Sequence, residues 1–119
     1  MPRAILFHQT AAGRCTVREF LDSLDSKTAQ KVIWVLQLIE ELDRVPERYF
    51  KKLAGSDEIW EVRVHHGAHF IRLFGYFGEG SSLVLTNGFA KKSRKTPIRE
   101  ILTAESCRNE HFARRKHHE

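Results

Sequence analysis

The spacing of apolar residues changes at Pro46, and this change limits the fold more than any other feature of the chain. Before Pro46, apolar residues recur at helical spacing. After it they alternate with polar residues, as they do in half-buried strands. A chain of 119 residues is long enough for one domain with its own core. The change therefore predicts an α+β protein in which helices precede most of the sheet.

The first part of the chain predicts a short strand followed by a helical hairpin. Residues 4–7 form an apolar run that suits a strand. Thr16 and Glu19 have the spacing of a capping box, and Ser26 is the expected cap of a second helix over about residues 27–42. The apolar stripes of the two helices comprise Val17, Phe20, Leu21 and Leu24, then Val32, Val35, Leu36, Ile39 and Leu42.

The second part predicts three strands joined by tight turns, over residues 59–64, 70–77 and 82–90. In the first of them, alternation places Trp60 toward the core and Arg63 on the opposite face, which we expect to be left for solvent or a ligand. Val62 and Val64 join Trp60, whereas Ile59 and Glu61 join Arg63.

A final helix is predicted to open at Thr96-Pro97, with a short apolar face of Ile98, Ile101 and Leu102. The predicted order is β-α-α-β-β-β-α, an antiparallel twisted sheet with the N-terminal helical hairpin packed on one face. We expect a single domain over residues 1–113 and a frayed basic tail over 114–119.

Basic residues are concentrated in the second half of the chain. Residues 1–62 contain 9 Lys/Arg and 10 Asp/Glu, whereas residues 63–119 contain 11 Lys/Arg and 5 Asp/Glu. This asymmetry predicts a polyanionic partner, most simply a nucleic acid, although a solvated basic surface has the same composition.

No apolar run approaches the roughly 18 residues of a membrane span. The first eight residues also become polar too early for a signal peptide. The predicted compartment is the cytoplasm, where Cys15 and Cys107 are expected to be reduced.

The basic residues suggest an RNA-binding platform on the sheet. Arg63 and Arg72 share a face if their strands pair around residues 65–68, and rings such as Phe74 or Tyr76 can then stack on bases. Further cations lie nearby in sequence, at Lys51, Lys52, Lys91, Lys92, Arg94, Lys95 and Arg99. The alternative is that Arg63 pairs with Glu61 or Glu58 and that the lysines are merely solvated.

The histidines at 65, 66 and 69 are close in sequence. They flank a turn and have no Asp or Cys nearby to complete a zinc shell, so no metal or other cofactor is expected. His65 or His69 can act as an acid or base near neutral pH, but ordinary surface histidines are the simpler interpretation.

Four blocks of the sequence occur in an order that resembles the phage-derived branch of the RelE/ParE toxin superfamily, close to HigB. The resemblance covers about residues 14–110. Its most specific part is the last block, a Phe-x-Lys-Lys-x-x-Lys-Thr-Pro run that begins at Phe89. The blocks are Lys51-Lys52-Leu53-x-Gly55, Ile59-Trp60-Glu61-Val62-Arg63, Phe70-x-Arg72-Leu73-Phe74, and Gly88-Phe89-Ala90-Lys91-Lys92-Ser93-x-Lys95-Thr96-Pro97.

The resemblance implies a toxin that enters the ribosome and cleaves mRNA, with a cognate antitoxin that often carries a helix-turn-helix domain. It matches Arg63, Arg72, Lys91 and Lys92 to basic positions of the family's site. We expect catalysis by Arg63, Arg72 and Lys92, with Glu61 or a histidine as the base. The clustered charges predict RNA binding by Lys51, Lys52, Lys91, Arg94, Lys95 and Arg99. The chain departs from some members in having no tyrosine after Tyr76, so its acid or base must differ. The alternatives are a ParE-type gyrase inhibitor and a non-catalytic nucleic-acid-binding accessory protein.

Overall fold

A computed structural model describes residues 3–118 of the chain, which form five strands and three helices. The strands lie in one sheet in the order β1-β5-β4-β3-β2. Neighbouring strands are antiparallel except β1, which pairs with β5 in parallel. The elements are β1 (Ile5–Phe7), α1 (Thr16–Asp22), α2 (Ser26–Glu41), β2 (Phe50–Lys52), β3 (Trp60–His66), β4 (His69–Phe77), β5 (Leu83–Ala90) and α3 (Ile98–His118).

The hairpin of α1 and α2 packs on one face of the sheet, as predicted. Its stripes meet alternate residues of β3, β4 and β5, because successive side chains of a strand point to opposite faces. This apolar layer is the larger core of the protein. Its buried members are Val17, Val32, Val35, Leu36, Ile39, Phe50, Val62, Val64, Ile71, Leu73, Leu83 and Leu85.

The last helix packs on the opposite face, although the sequence predicted that this face would be left open to solvent or a ligand. Ala104 of α3 is buried against Phe74 and Tyr76 of β4, with Ile101 partly buried beside it. The helix covers only one end of the face. The other end, which carries Arg63, remains open.

The capping contacts at the starts of α1 and α2 differ from those predicted. The Thr16 hydroxyl donates to the backbone oxygen of Thr86 at 2.8 Å, and the Glu19 carboxylate pairs with Arg14, so the predicted capping box is absent. Asp25, rather than Ser26, caps α2 by accepting from the backbone nitrogen of Thr28 at 2.9 Å. These contacts tie α1 to the sheet and fix the turn between the helices.

Other details also differ from the predicted arrangement. The strand Phe50–Lys52 was not predicted, because three residues are too few for a visible alternation. Ile98 and Leu102 were assigned to the apolar face of the last helix, but they are 72% and 58% exposed. That helix continues through residues 114–118 of the predicted tail, while Glu119 lies outside the described residues.

The β4–β5 pairing contains an irregularity that changes which side chains of β5 face α3. Phe74 pairs with Asn87, but the adjacent Gly75 pairs with Leu85, so Thr86 is an extra residue on β5. After this bulge, Asn87 faces α3 and its amide donates to the backbone oxygen of Glu100 at 3.2 Å. The bulge thus anchors the start of α3 beside the open part of the sheet.

Within residues 3–118, no helix is both long and apolar enough to cross a membrane.

Candidate functional site

Two arginines and one glutamate lie together on the open part of the sheet face. Arg63 of β3 is directly opposite Arg72 of β4 in the strand register. Glu61 is two residues before Arg63, so its side chain is on the same face. Its Oε1 atom is 3.0 Å from Nε of Arg63 and 3.6 Å from Nε of Arg72. A single carboxylate is therefore shared by two guanidinium groups.

The excess positive charge at this position is partly buried. Like charges directly opposite each other on paired strands repel, and Glu61 offsets this repulsion only in part. The side chain of Arg72 is 9% exposed and that of Glu61 is 8% exposed. Burial lowers the pKa of Arg72 below its ordinary value, although Glu61 opposes the shift and Arg63 adds to it. A bound anion would reduce the repulsion between the two guanidinium groups.

The two arginines also have buried donors that lack a hydrogen-bond partner among the described residues. One terminal nitrogen of Arg72 donates to the backbone oxygen of Ile71 at 3.0 Å. The Nε atoms of Arg63 and Arg72 are buried, yet neither has a well-directed hydrogen bond to any described residue. An arginine has five N–H donors that match phosphate geometry. Phosphate oxygens are therefore the natural acceptors for this pair.

Three adjoining recesses, of about 430, 220 and 210 Å³, surround the arginines. The first two share Phe70 and Arg72, the second and third share Arg63, and Lys91 links the first and third. We call the combined depression the basic cleft. Its charged lining comprises eight cations and, among the described residues, one carboxylate: Arg48, Lys51, Lys52, Arg63, Arg72, Lys91, Lys92 and Arg94, with Glu61.

Most of the RNA-binding residues predicted from the sequence lie in this cleft, but they differ in how free they are. Lys91 and Lys92, at the end of β5, line its largest recess together with Arg94. Lys51 and Lys52 line the smallest recess, where their ammonium groups are 4.0 Å from Glu47 and 2.9 Å from Glu58. Lys91 and Lys92 are therefore the stronger candidates for binding an anion.

Two predicted cations lie at the margin of the site. Lys95 and Arg99 are exposed, and neither contributes to the lining of the three recesses. Arg99 belongs to the first turn of α3. Both add to the positive potential around the cleft without forming its walls.

The aromatic residues expected to stack on bases are in the wrong place for that role. Phe74 and Tyr76 are 0% exposed beneath α3, so the prediction that they form an RNA platform is wrong. Phe70, which is 45% exposed, is the aromatic residue in the cleft. It lies two residues before Arg72, and this spacing is the sequence signal that could have identified its face. Arg48, which lines the same cleft, had no sequence signal.

The histidines separate into different environments. His65 is stacked on Phe70, and its Nε2 atom donates to the backbone oxygen of Gly67 at 2.9 Å. His69 lies 3.8 Å from Asp25, away from the lining of the cleft. In the part of the chain that the structure describes, no group of three or more His, Cys, Asp or Glu side chains is placed to hold a metal ion.

The sequence of the chain matches a known protein family. No curated protein matches the chain significantly. Residues 19–109 match the family described as phage-derived protein Gp49-like (DUF891). The match includes α2, the sheet from β2 to β5, most of α3, and every residue that lines the basic cleft. The chain therefore belongs to the phage-derived Gp49-like family.

Proposed function

We propose that this protein is the toxin of a toxin–antitoxin pair and acts as an endoribonuclease on mRNA in the ribosome. The observation that carries this proposal is the pair of opposed arginines sharing one buried carboxylate on the floor of the basic cleft. The family and the resemblance to RelE-like toxins support it.

The reaction proposed needs charge stabilisation and proton transfer, and it needs no metal ion. The 2′-hydroxyl oxygen of RNA forms a bond to the adjacent phosphorus while the bond from phosphorus to the 5′-oxygen breaks. A base takes the hydroxyl proton, an acid protonates the leaving oxygen, and a 2′,3′-cyclic phosphate remains. Negative charge collects on the phosphate oxygens, and Arg63, Arg72 and Lys92 are suited to hold it.

Glu61 is the residue we propose as the base. Its carboxylate is the one acidic group among the described lining residues, and it lies beside the guanidinium groups that would hold the phosphate. The phosphate would compete with Glu61 for the arginines, which would free a carboxylate oxygen to accept the proton. His65, at the other end of the cleft, is the alternative base.

The proposed partners follow from the charge of the cleft. A cognate antitoxin with an acidic or amphipathic segment would cover these cations and neutralise them. The cleft is open along one side, so it suits an extended chain better than a small metabolite, which needs an enclosed pocket. The proposed chain is the single-stranded mRNA held in the ribosome. The proposed site of action is therefore the cytoplasm.

Induction of the chain in cells, followed by mapping of mRNA 5′ ends, tests this function. We expect growth arrest with discrete cleavage sites that disappear when the neighbouring antitoxin gene is expressed. Growth arrest without new mRNA ends, accompanied by altered DNA supercoiling, would contradict the proposal and indicate a gyrase inhibitor. Binding without arrest or cleavage would indicate an accessory protein.

A further inference from the structure

Phe70 is an exposed aromatic ring held in a fixed position among cations. It is 45% exposed and lines two recesses of the basic cleft, with Arg72 common to both. Its neighbours in these two recesses are mainly positively charged side chains. This combination of an open ring and adjacent cations fits a ligand that has both a flat aromatic group and a negative charge.

The surroundings of Phe70 hold the ring in place. Its register partner on β3 is His65, and the two rings are stacked at 4.4 Å with planes 11° apart. The backbone oxygen of Phe70 accepts a hydrogen bond from the backbone nitrogen of Lys91 at 2.7 Å. The hairpin turn beside it includes Gly67 with a φ of 58°, a conformation that favours glycine. A ring fixed in this way loses little further freedom when a ligand stacks on it.

We infer that Phe70, supported by His65, is a stacking site for one unpaired nucleobase of the RNA whose phosphates bind the arginines. The inference rests on the proposed function and adds a base-binding subsite to it. The geometry explains why a single strand is required, because a base paired within a duplex cannot present its face to a protein ring.

Stacking on an aromatic ring tolerates any base but is stronger for bases with a larger ring surface. The subsite therefore predicts a preference for purines at the stacked nucleotide, independent of hydrogen-bond recognition. Phosphate contacts release counterions, so the affinity that they supply depends on salt concentration. Stacking releases no counterions, so its contribution does not depend on salt concentration in this way. These two contributions can be measured separately.

Fluorescence anisotropy with short oligo(A), oligo(U) and an abasic ribose-phosphate oligomer tests the inference on the purified full chain. Wild type should bind oligo(A) most tightly and the abasic oligomer least. Phe70→Leu should weaken oligo(A) binding about 5- to 150-fold. The slope of log affinity against log salt concentration, and the affinity of this variant for the abasic oligomer, should stay as in wild type. Phe70→Tyr should keep wild-type affinity, because it retains the ring.

Trp34→Leu is the matched control, because Trp34 is a similarly exposed ring with a cation beside it. It is 43% exposed on α2, and the ammonium of Lys31 lies 4.3 Å from the ring centroid. This variant should bind all three oligomers as wild type does.

The outcomes separate the subsite from the function on which it rests. Unchanged oligo(A) binding by a folded Phe70→Leu variant, or an equal loss for the abasic oligomer, would overturn the stacking site alone. A wild-type protein that binds none of the three oligomers in a salt-dependent manner would overturn the proposed function as well.

Discussion

The two faces of the sheet use the same strands for different purposes. Toward the helical hairpin, Val62, Ile71 and Leu73 are 0% exposed and surrounded by apolar side chains. On the opposite face, the alternate positions carry Arg63 and Arg72 in an open basic cleft. One face therefore provides the stability that allows the other to hold two like charges together.

The second face is itself divided by α3. Phe74 and Tyr76 are covered by the helix, whereas Phe70 and Arg72, earlier on the same strand, are not. The boundary between the two parts lies between Arg72 and Phe74 of β4. The position of α3, and not the strand pattern, therefore decides which side chains on this face are accessible to a ligand.

The largest effect on stability is expected from the hairpin face. Leu73→Ala should lower the free energy of unfolding by about 2–5 kcal/mol, because Leu73 is fully buried and its truncation leaves a cavity. Urea melts measure this loss. A loss below about 1 kcal/mol would show that the hairpin layer is not the main core.

A smaller effect is expected where β4 and β5 approach closely at the bulge. A Cβ atom at Gly75 would lie 2.6 Å from the backbone oxygen of Val84. Gly75→Ala should therefore lower the free energy of unfolding by about 1–3 kcal/mol. Gly78→Ala is the control, since its nearest contact would be an ordinary 3.4 Å. Equal stability of the two variants in urea melts would contradict the close packing at Gly75.

The covered part of the second face can be tested through Tyr76. Burial raises the pKa of its phenol to about 12, so in the folded state the group stays neutral above the ordinary value near 10. The unfolded state ionises first, and the phenol's contribution to stability is therefore lost as pH rises through about 10 to 12. Ultraviolet titration should show one of the two tyrosines ionising near pH 12.

Tyr76→Phe is the variant that assigns this titration. It should remove the late ionisation and leave stability at neutral pH within about 1 kcal/mol, because the hydroxyl has no hydrogen-bond partner among the described residues. RNA binding should be unaffected. A large loss of RNA affinity would contradict the burial of Tyr76 and restore it as a stacking residue.

The strand pattern made much of this architecture predictable. Strict alternation around Trp60 identified both faces of β3, and the turn near Gly67 brought Arg63 and Arg72 into register. Lys91 and Lys92 were recognised by charge density. These are local signals, since a strand period and a hairpin turn are set by a few neighbouring residues.

The remaining features depend on contacts between distant segments. Phe70 was passed over in favour of Phe74, because the sequence does not show where α3 crosses the sheet. The bulge at Thr86 changes the facing of every later residue of β5, and regular alternation cannot reveal it. Glu61 was assigned correctly to the face of Arg63, but its contact with Arg72 required the strand register.

Single-turnover cleavage of mRNA on programmed ribosomes tests the central claim most directly, with folding checked by circular dichroism. We expect Arg72→Ala to slow cleavage about 100- to 1000-fold, because it removes donors aimed at the developing phosphate charge. Arg72→Lys should recover only part of the rate, since lysine lacks the planar fork. Arg115→Ala, which removes a cation near Glu79 at the far end of α3, should cleave at the wild-type rate. Full cleavage by a folded Arg72→Ala protein would contradict the assignment of the site.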